Sequence, residues 1–537
     1  MLERHATMVA AALLIAMAAL CVLGARAMSA SADESTHIAA GYSYWKTGDF
    51  RMNPQHPPFG KLLAGLPLLA LDPPLDTATR AWKIHDEWSF ADAFLYAAPL
   101  GSPNDADAIL FAARLPLIGL ALLLGATVFA WSRELYGPRA ALLSLGLYAF
   151  SPTIIAHARF VTFDVPLATF FAIAHYHLWR YLRGGRRRDA IVLGLSTGSA
   201  LATKYSAALM SGSLLLIVAL WLWRGRPGST LRERWRMALV AGAATLLFSA
   251  FCILASYLFT GSLLDYWEGL SRVNADHNPD YPFYLNGEFR TGGWWYYVLV
   301  AFLVKTPLVT LGLLGLAGVA AVRTRRPWLD DACLVVPIVV FTAGTCVLSN
   351  NLGIRYLTPV YPLLFVFIGR LVPDAAERVR AGSGFGKQFG SAVAAFAAVG
   401  YVGSALWIHP DSLAYFNAAV GGPAKGYRYL DDSNIAWGQD AKRLAAYLAA
   451  RGNPPIKLKP FSGIDPSHYG VDWQEIGRRE WSQDPPPGLY GLSTHQLVRG
   501  EYYARRYDWK TDWLSRYEPV ARIGYSIYLF EFEAVAP

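Results

Sequence analysis

The stretch MVAAALLIAMAALCVLGARAM, Met8 to Met28, follows Arg4 and stays apolar for about twenty residues, the length at which a helix crosses the hydrocarbon core of a bilayer. Ten further apolar runs follow, near 109–131, 140–158, 163–182, 189–203, 207–223, 237–259, 300–322, 332–348, 356–371 and 389–408. Ala25-Arg26-Ala27 also has the small-residue pattern of a signal-peptide cleavage site, but the many later runs favour an uncleaved first span. The reading is an α-helical polytopic membrane protein of roughly eleven spans.

Composition agrees. Of 537 residues, 54% are hydrophobic and only 16% charged, against about 25% in soluble proteins. This excludes a large soluble fold and a disordered chain, and 47 Gly with 32 Pro spread without a period exclude a collagen-like one. The net charge of +9 sits in short clusters between apolar runs, so it reads as a topology signal and not as a nucleic-acid face. Cys21, Cys252, Cys333 and Cys346 all lie in apolar runs and suggest no disulfide framework.

Those clusters alternate. Arg133 and Arg139, then Arg183 with Arg186 to Arg188, Arg224 to Arg236, Arg323 to Arg326, and Arg378, Arg380 and Lys387 all fall on one side, which is then the cytoplasm. The N-terminus is cytoplasmic, and the 29–108 loop, the 260–293 loop and the tail lie on the opposite face, the periplasm of a bacterium with the chain in its inner membrane. A membrane domain, 1–408, thus precedes a C-terminal domain, 409–537. The tail offers a helical run near Gln439 to Ala450 and an alternating strand from Ala521 to Phe532, consistent with a small α/β domain.

Ionisable groups beside membrane helices are costly, and they gather here at the outer rim. Asp33-Glu34 follows the first span, Asp164 opens the fourth, Lys204 closes the fifth and Arg355 opens the tenth. Gly293 to Val322 as one helix would be about 45 Å long, too long for the core. A bend at Pro307, with Trp294 to Tyr297 as an interfacial aromatic belt, brings Lys305 to the same rim. Carboxylates beside cations suit a lipid phosphate, its charge held while a carboxylate does chemistry.

Plainer readings stand beside each. Ser31-Ala32-Asp33-Glu34 fits a capping box opening an amphipathic helix that Thr47-Gly48 ends. Adjacent helical residues point about 100° apart, so one of Asp33 and Glu34 does chemistry and the other is scaffold. Asp164 ahead of Val165-Pro166 can cap its helix, and Lys204 and Arg355 can reach lipid headgroups. His37 and His56, with Asp33 and Asp164, leave a divalent metal open as a cofactor without requiring one. No phosphate-cradling glycine loop or dinucleotide fingerprint is present.

Asp33-Glu34, Gly48-Asp49 and Asn53-Pro54-Gln55-His56-Pro57-Pro58-Phe59-Gly60-Lys61 together resemble the first external loop of protein O-mannosyltransferase-like enzymes of the GT-C superfamily. Arg159 to Leu167 looks like their second acidic motif and Ala202 to Ser206 like their membrane-end lysine segment. Gly292 to Pro307 and Gly353 to Pro359 are similar to later signatures. Tyr415 to Asn417, Asp432 to Asn434, Trp437 to Asp440 and His468 to Gly470 resemble the external domain of bacterial phospholipid-carrier-dependent members.

The resemblance covers essentially the whole chain in order. It implies transfer of a sugar from a polyprenyl-phosphate carrier to a glycan, lipid or protein acceptor, usually with inversion. By it Asp33 is the general base, Glu34 and Asp164 complete the catalytic set, and Arg355, Lys204, Lys305 and Arg159 hold the donor phosphate. His56 and Lys61 belong to the first-loop motif, although Gln55-His56 stands where the related lipid A aminoarabinose transferases have Glu-Lys. Two rival readings remain: a transporter or flippase of a lipid-linked substrate, and a non-catalytic scaffold that binds glycan.

Overall fold

A computed structural model describes residues 2–97, 104–275, 280–324, 326–372, 385–461, 465–477, 480, 485–507 and 517–533. Arg325, Arg378 and Arg380 lie outside the described residues. Every apolar run read from the sequence is helical. Six helices are long and apolar enough to cross a membrane: Glu3–Ala27, Ala106–Tyr136, Tyr205–Arg224, Leu231–Ser256, Trp328–Leu348 and Ile354–Leu371. Two bent pairs, Pro138–Ala149 with Pro152–Ala158 and Tyr297–Lys305 with Leu308–Arg323, raise the number to eight among the described residues.

Three further runs fall outside these eight. Asp164–Gly184 is long enough but carries His175, His177, Arg180 and Arg183. Arg187–Leu201 has 15 residues, about 22 Å of helix. Phe385–Ile408 is a helix of 24 residues. Leu215, Trp223, Leu246 and Val347 are each more than 70% exposed, the arrangement of a surface that faces lipid and not water.

Close helix contact follows from small residues. Gly194 and Gly198, four apart on Arg187–Leu201, let that helix meet Leu231–Ser256 backbone to backbone. A Cβ would lie 2.4 Å from the Ala244 carbonyl oxygen at the first and 2.7 Å from that of Phe248 at the second. The bend expected at Pro307 is present, a turn of 112° between Tyr297–Lys305 and Leu308–Arg323. Beside it Trp294 and Tyr297 are buried whereas Trp295 is exposed.

The helix after the first span is Ala32–Thr47, which Gly48 ends in the left-handed conformation (φ 69°), its N–H donating to the Tyr44 carbonyl at 2.9 Å. After an antiparallel hairpin of β1 (Pro282–Leu285) and β2 (Glu288–Thr291), the tail builds a five-stranded sheet of order β4-β3-β5-β7-β6: β3 (Ile456–Lys459), β4 (Trp473–Glu475), β5 (Gly488–Ser493), β6 (Ala521–Ile523) and β7 (Ile527–Phe532). β3 pairs in parallel with β4 and β5, and β7 runs antiparallel to β5 and β6. The strand expected over 521–532 is thus a hairpin, broken at Gly524-Tyr525-Ser526, and the expected helix is Ala441–Ala449.

Asp440, just ahead of that helix, is buried between Arg443 at 3.0 Å and the Ser526 hydroxyl, which donates to it at 2.6 Å. Burial pushes its carboxyl up to about 6 despite Arg443. The folded state therefore holds this proton where the unfolded chain, with an ordinary carboxyl near 3.8, has lost it. This contribution favours folding at low pH and fades as pH rises from about 4 to about 6. Thermal unfolding of Asp440→Asn across that window is expected to lack this part of the wild-type pH dependence.

Candidate functional site

The site is built from the junction of the first two helices. Arg114, inside Ala106–Tyr136 and 1% exposed, turns all five of its N–H donors to this junction. Its Nε and one terminal nitrogen donate to the two oxygens of Glu34 at 2.8 and 2.7 Å. The terminal nitrogens also reach the carbonyls of Ala25 (2.6 Å), Met28 (3.1 Å) and Ser29 (2.8 Å), the otherwise orphaned end of the first helix. Glu34 in addition accepts the N–H of Ser31 at 2.8 Å, forming its half of the capping box, and that of Val161 at 2.8 Å. It is fully buried, and each of these contacts braces the junction.

Asp33, one position earlier, points elsewhere. Its side chain is 28% exposed, and its Oδ2 accepts from Arg355 at 2.9 Å. Arg355 is sandwiched between the rings of Trp437, 4.4 Å from the centroid, and Tyr356 at 5.2 Å. Lys204 sits over the other side of the site, 5.1 Å from the Tyr356 centroid and 2.6 Å from Asp164 Oδ1. Two ion pairs thus share one aromatic ring. Asp164 caps nothing; among the described residues its Oδ2 and Arg355 Nε are buried polar atoms without a protein partner, as at a site shaped for a polar ligand.

His37 is one turn beyond Asp33. Its Nδ1–H donates to the Val161 carbonyl at 2.8 Å, and burial holds it down to about 4, so it is neutral at physiological pH. His56 lies edge-on to it, ring centroids 5.4 Å apart, and burial lowers its pKa strongly as well. Both pack on Phe163, the residue before Asp164. Among the described residues no three His, Cys, Asp or Glu converge where a metal ion could be held. His56 also lines a polar cavity of about 480 Å³ with Asp49, Arg51, Asp265, Glu268 and Arg272.

Three expected site residues are directed elsewhere. Lys305 donates to the backbone carbonyls of Leu413 at 2.8 Å and Asn434 at 2.5 Å and rests 4.4 Å from the Phe416 centroid, so it braces the tail. Lys61 braces the first loop, donating to Tyr44 at 3.0 Å and to the Asn53 carbonyl, and burial lowers it to about 7. Arg159 is fully buried against Gly24, where a Cβ would meet its guanidinium at 2.2 Å; none of its three nitrogens has a protein partner among the described residues. Arg114 escaped the sequence reading, although an arginine inside an apolar span is itself a signal, since its burial demands partners.

Residues 107–254 match the family described as dolichyl-phosphate-mannose-protein mannosyltransferase. No curated protein matches the sequence. The apo ArnT of Cupriavidus metallidurans is similar over 97% of both chains at 14% identity and a TM-score of 0.52. Its complex with undecaprenyl phosphate is similar over the same shares at 13% and 0.49. The oligosaccharyltransferase AglB of Archaeoglobus fulgidus, in complex with an inhibitory peptide and a dolichol-phosphate, is similar over 73% of this chain and 55% of its own at 12% and 0.47. The chain has the GT-C fold.

Truncating one partner of a buried charge pair leaves the other uncompensated, at a cost of about 3–5 kcal/mol. Arg114→Ala is therefore expected to lower the thermal stability of the purified protein strongly. Asp33→Asn, at a part-exposed pair, is expected to leave it nearly unchanged.

Proposed function

We propose that this chain transfers a glycosyl group from a polyprenyl-phosphate carrier to an acceptor hydroxyl at the outer, periplasmic rim of a bacterial inner membrane, with inversion. The observation that carries the reading is the pairing of two carboxylates with two cations around Tyr356: Asp33 with Arg355 at 2.9 Å and Asp164 with Lys204 at 2.6 Å. The family match and the GT-C fold support it. The 480 Å³ cavity beside His56 offers room for a headgroup, with Arg51 and Arg272 on its wall.

In this reading the acceptor oxygen attacks the anomeric carbon from the face opposite the phosphate. Asp33 takes the hydroxyl proton as the new C–O bond forms and the bond to the phosphate oxygen breaks. The leaving phosphate keeps its electron pair and needs charge stabilisation more than a general acid. Arg355 and Lys204 supply that charge, and Asp164 orients Lys204.

The test is transfer of radiolabelled sugar from polyprenyl-phosphate donors to a crude membrane acceptor pool by protein in lipid vesicles. Asp33→Asn is expected to lower turnover by roughly 10²–10⁴-fold with donor binding retained. Arg355→Ala is expected chiefly to weaken donor binding, by about 10–100-fold, the loss of a charge-assisted contact. Near wild-type turnover of Asp33→Asn would remove Asp33 from the mechanism.

A further inference from the structure

The tail reaches into the site through one short strap, residues 431–441. Ala32, at the start of the helix that carries Asp33, donates its N–H to the Trp437 carbonyl at 2.7 Å. Ser29 donates to the Gln439 carbonyl at 3.1 Å, and its hydroxyl accepts from Ala441 at 3.1 Å. On the other side Ile354, next to Arg355, donates to Asn434 Oδ1 at 3.0 Å, and Ser433 donates to the Leu352 carbonyl at 2.8 Å. The strap is therefore bonded to both segments whose side chains form the Asp33–Arg355 pair, segments separated by 322 residues.

Trp437 stands at the centre of this strap. Its ring is 2% exposed and lies 4.4 Å from the Arg355 guanidinium, closer than Tyr356. Gln439 fixes its backbone, Oε1 accepting the Trp437 N–H at 2.7 Å while Nε2 donates to the Ile435 carbonyl at 2.9 Å. Phe160 and His157 lie edge-on to the indole at 6.2 and 6.3 Å. Among the described residues Arg355 donates one hydrogen bond, to Asp33, so the flat indole face is what keeps so long a side chain from swinging.

We infer that Trp437 is a positioning residue: it holds Arg355 at the angle that serves Asp33 and the donor phosphate, so the tail domain completes the site. The inference rests on the donor-transfer reading above. It predicts that Trp437→Leu weakens binding of undecaprenyl phosphate by roughly tenfold, while Trp437→Phe, which keeps an aromatic face, restores most of it. Leu413→Ala is the control, because Leu413 belongs to the same buried cluster as Trp437 and offers no aromatic face to a guanidinium. It should lower thermal stability and leave that affinity unchanged.

The decisive form is a double-mutant cycle. In the Arg355→Ala background Trp437→Phe and Trp437→Leu should have no further effect on affinity. Wild-type affinity in Trp437→Leu, or effects that add to that of Arg355→Ala, would overturn the inference. Should Trp437→Leu fail to fold, Trp437→Met, which keeps bulk without an aromatic face, takes its place in the cycle and separates the same two outcomes. The donor-transfer reading fails separately, if wild-type protein moves no sugar from any lipid-phosphate donor.

Discussion

The site depends on one buried cation. A guanidinium in the middle of an apolar helix has no tolerable environment unless all five donors are met, and Arg114 meets them at a single place, the break between the first and second helices. Its positive charge satisfies the carbonyl end of one helix, and its fork grips the carboxylate in the first turn of the next. Glu34 then passes the constraint to Val161, whose carbonyl also holds His37. With Glu34 consumed in this way, the turn of the helix fixes where Asp33 must point.

Around that fixed carboxylate the fold assembles groups from distant parts of the chain. Asp164 and Lys204 come from successive apolar runs, Arg355 from the segment after Trp328–Leu348, and Trp437 from the tail. Each cation is given an acid and a ring, so that two positive charges stand near one another without repelling the fold apart. The same arrangement suits a phosphate, which can draw on both cations while the carboxylates remain beside it.

Much of this was legible in the sequence. The membrane character follows from apolar runs of spanning length, and Asp33, Asp164, Lys204 and Arg355 stood out because charges at helix ends in a bilayer are expensive. The bend at Pro307 and the stop at Gly48 were written in local chemistry. Length and hydropathy do not by themselves say which apolar helices cross. On Asp164–Gly184 the half-buried His177 and Arg180 face Asp189 of the next helix, which accepts from His177. The fates of Lys305, Lys61 and Arg159 could not be read, since a buried lysine bound to carbonyls looks in sequence like one facing a ligand. Nor could the approach of Trp437 to Arg355, a contact that exists only after the tail has folded back.

The central claim is that the Asp33–Arg355 and Asp164–Lys204 pairs form the receptor for a lipid-linked phosphate. A structure of the full chain with undecaprenyl phosphate in a lipid nanodisc tests it most directly. The account predicts phosphate oxygens within about 4 Å of the Arg355 guanidinium or the Lys204 ammonium, the ion-pair range, with Asp33 facing the same space. A phosphate bound elsewhere, with both pairs closed on themselves as before, would contradict it.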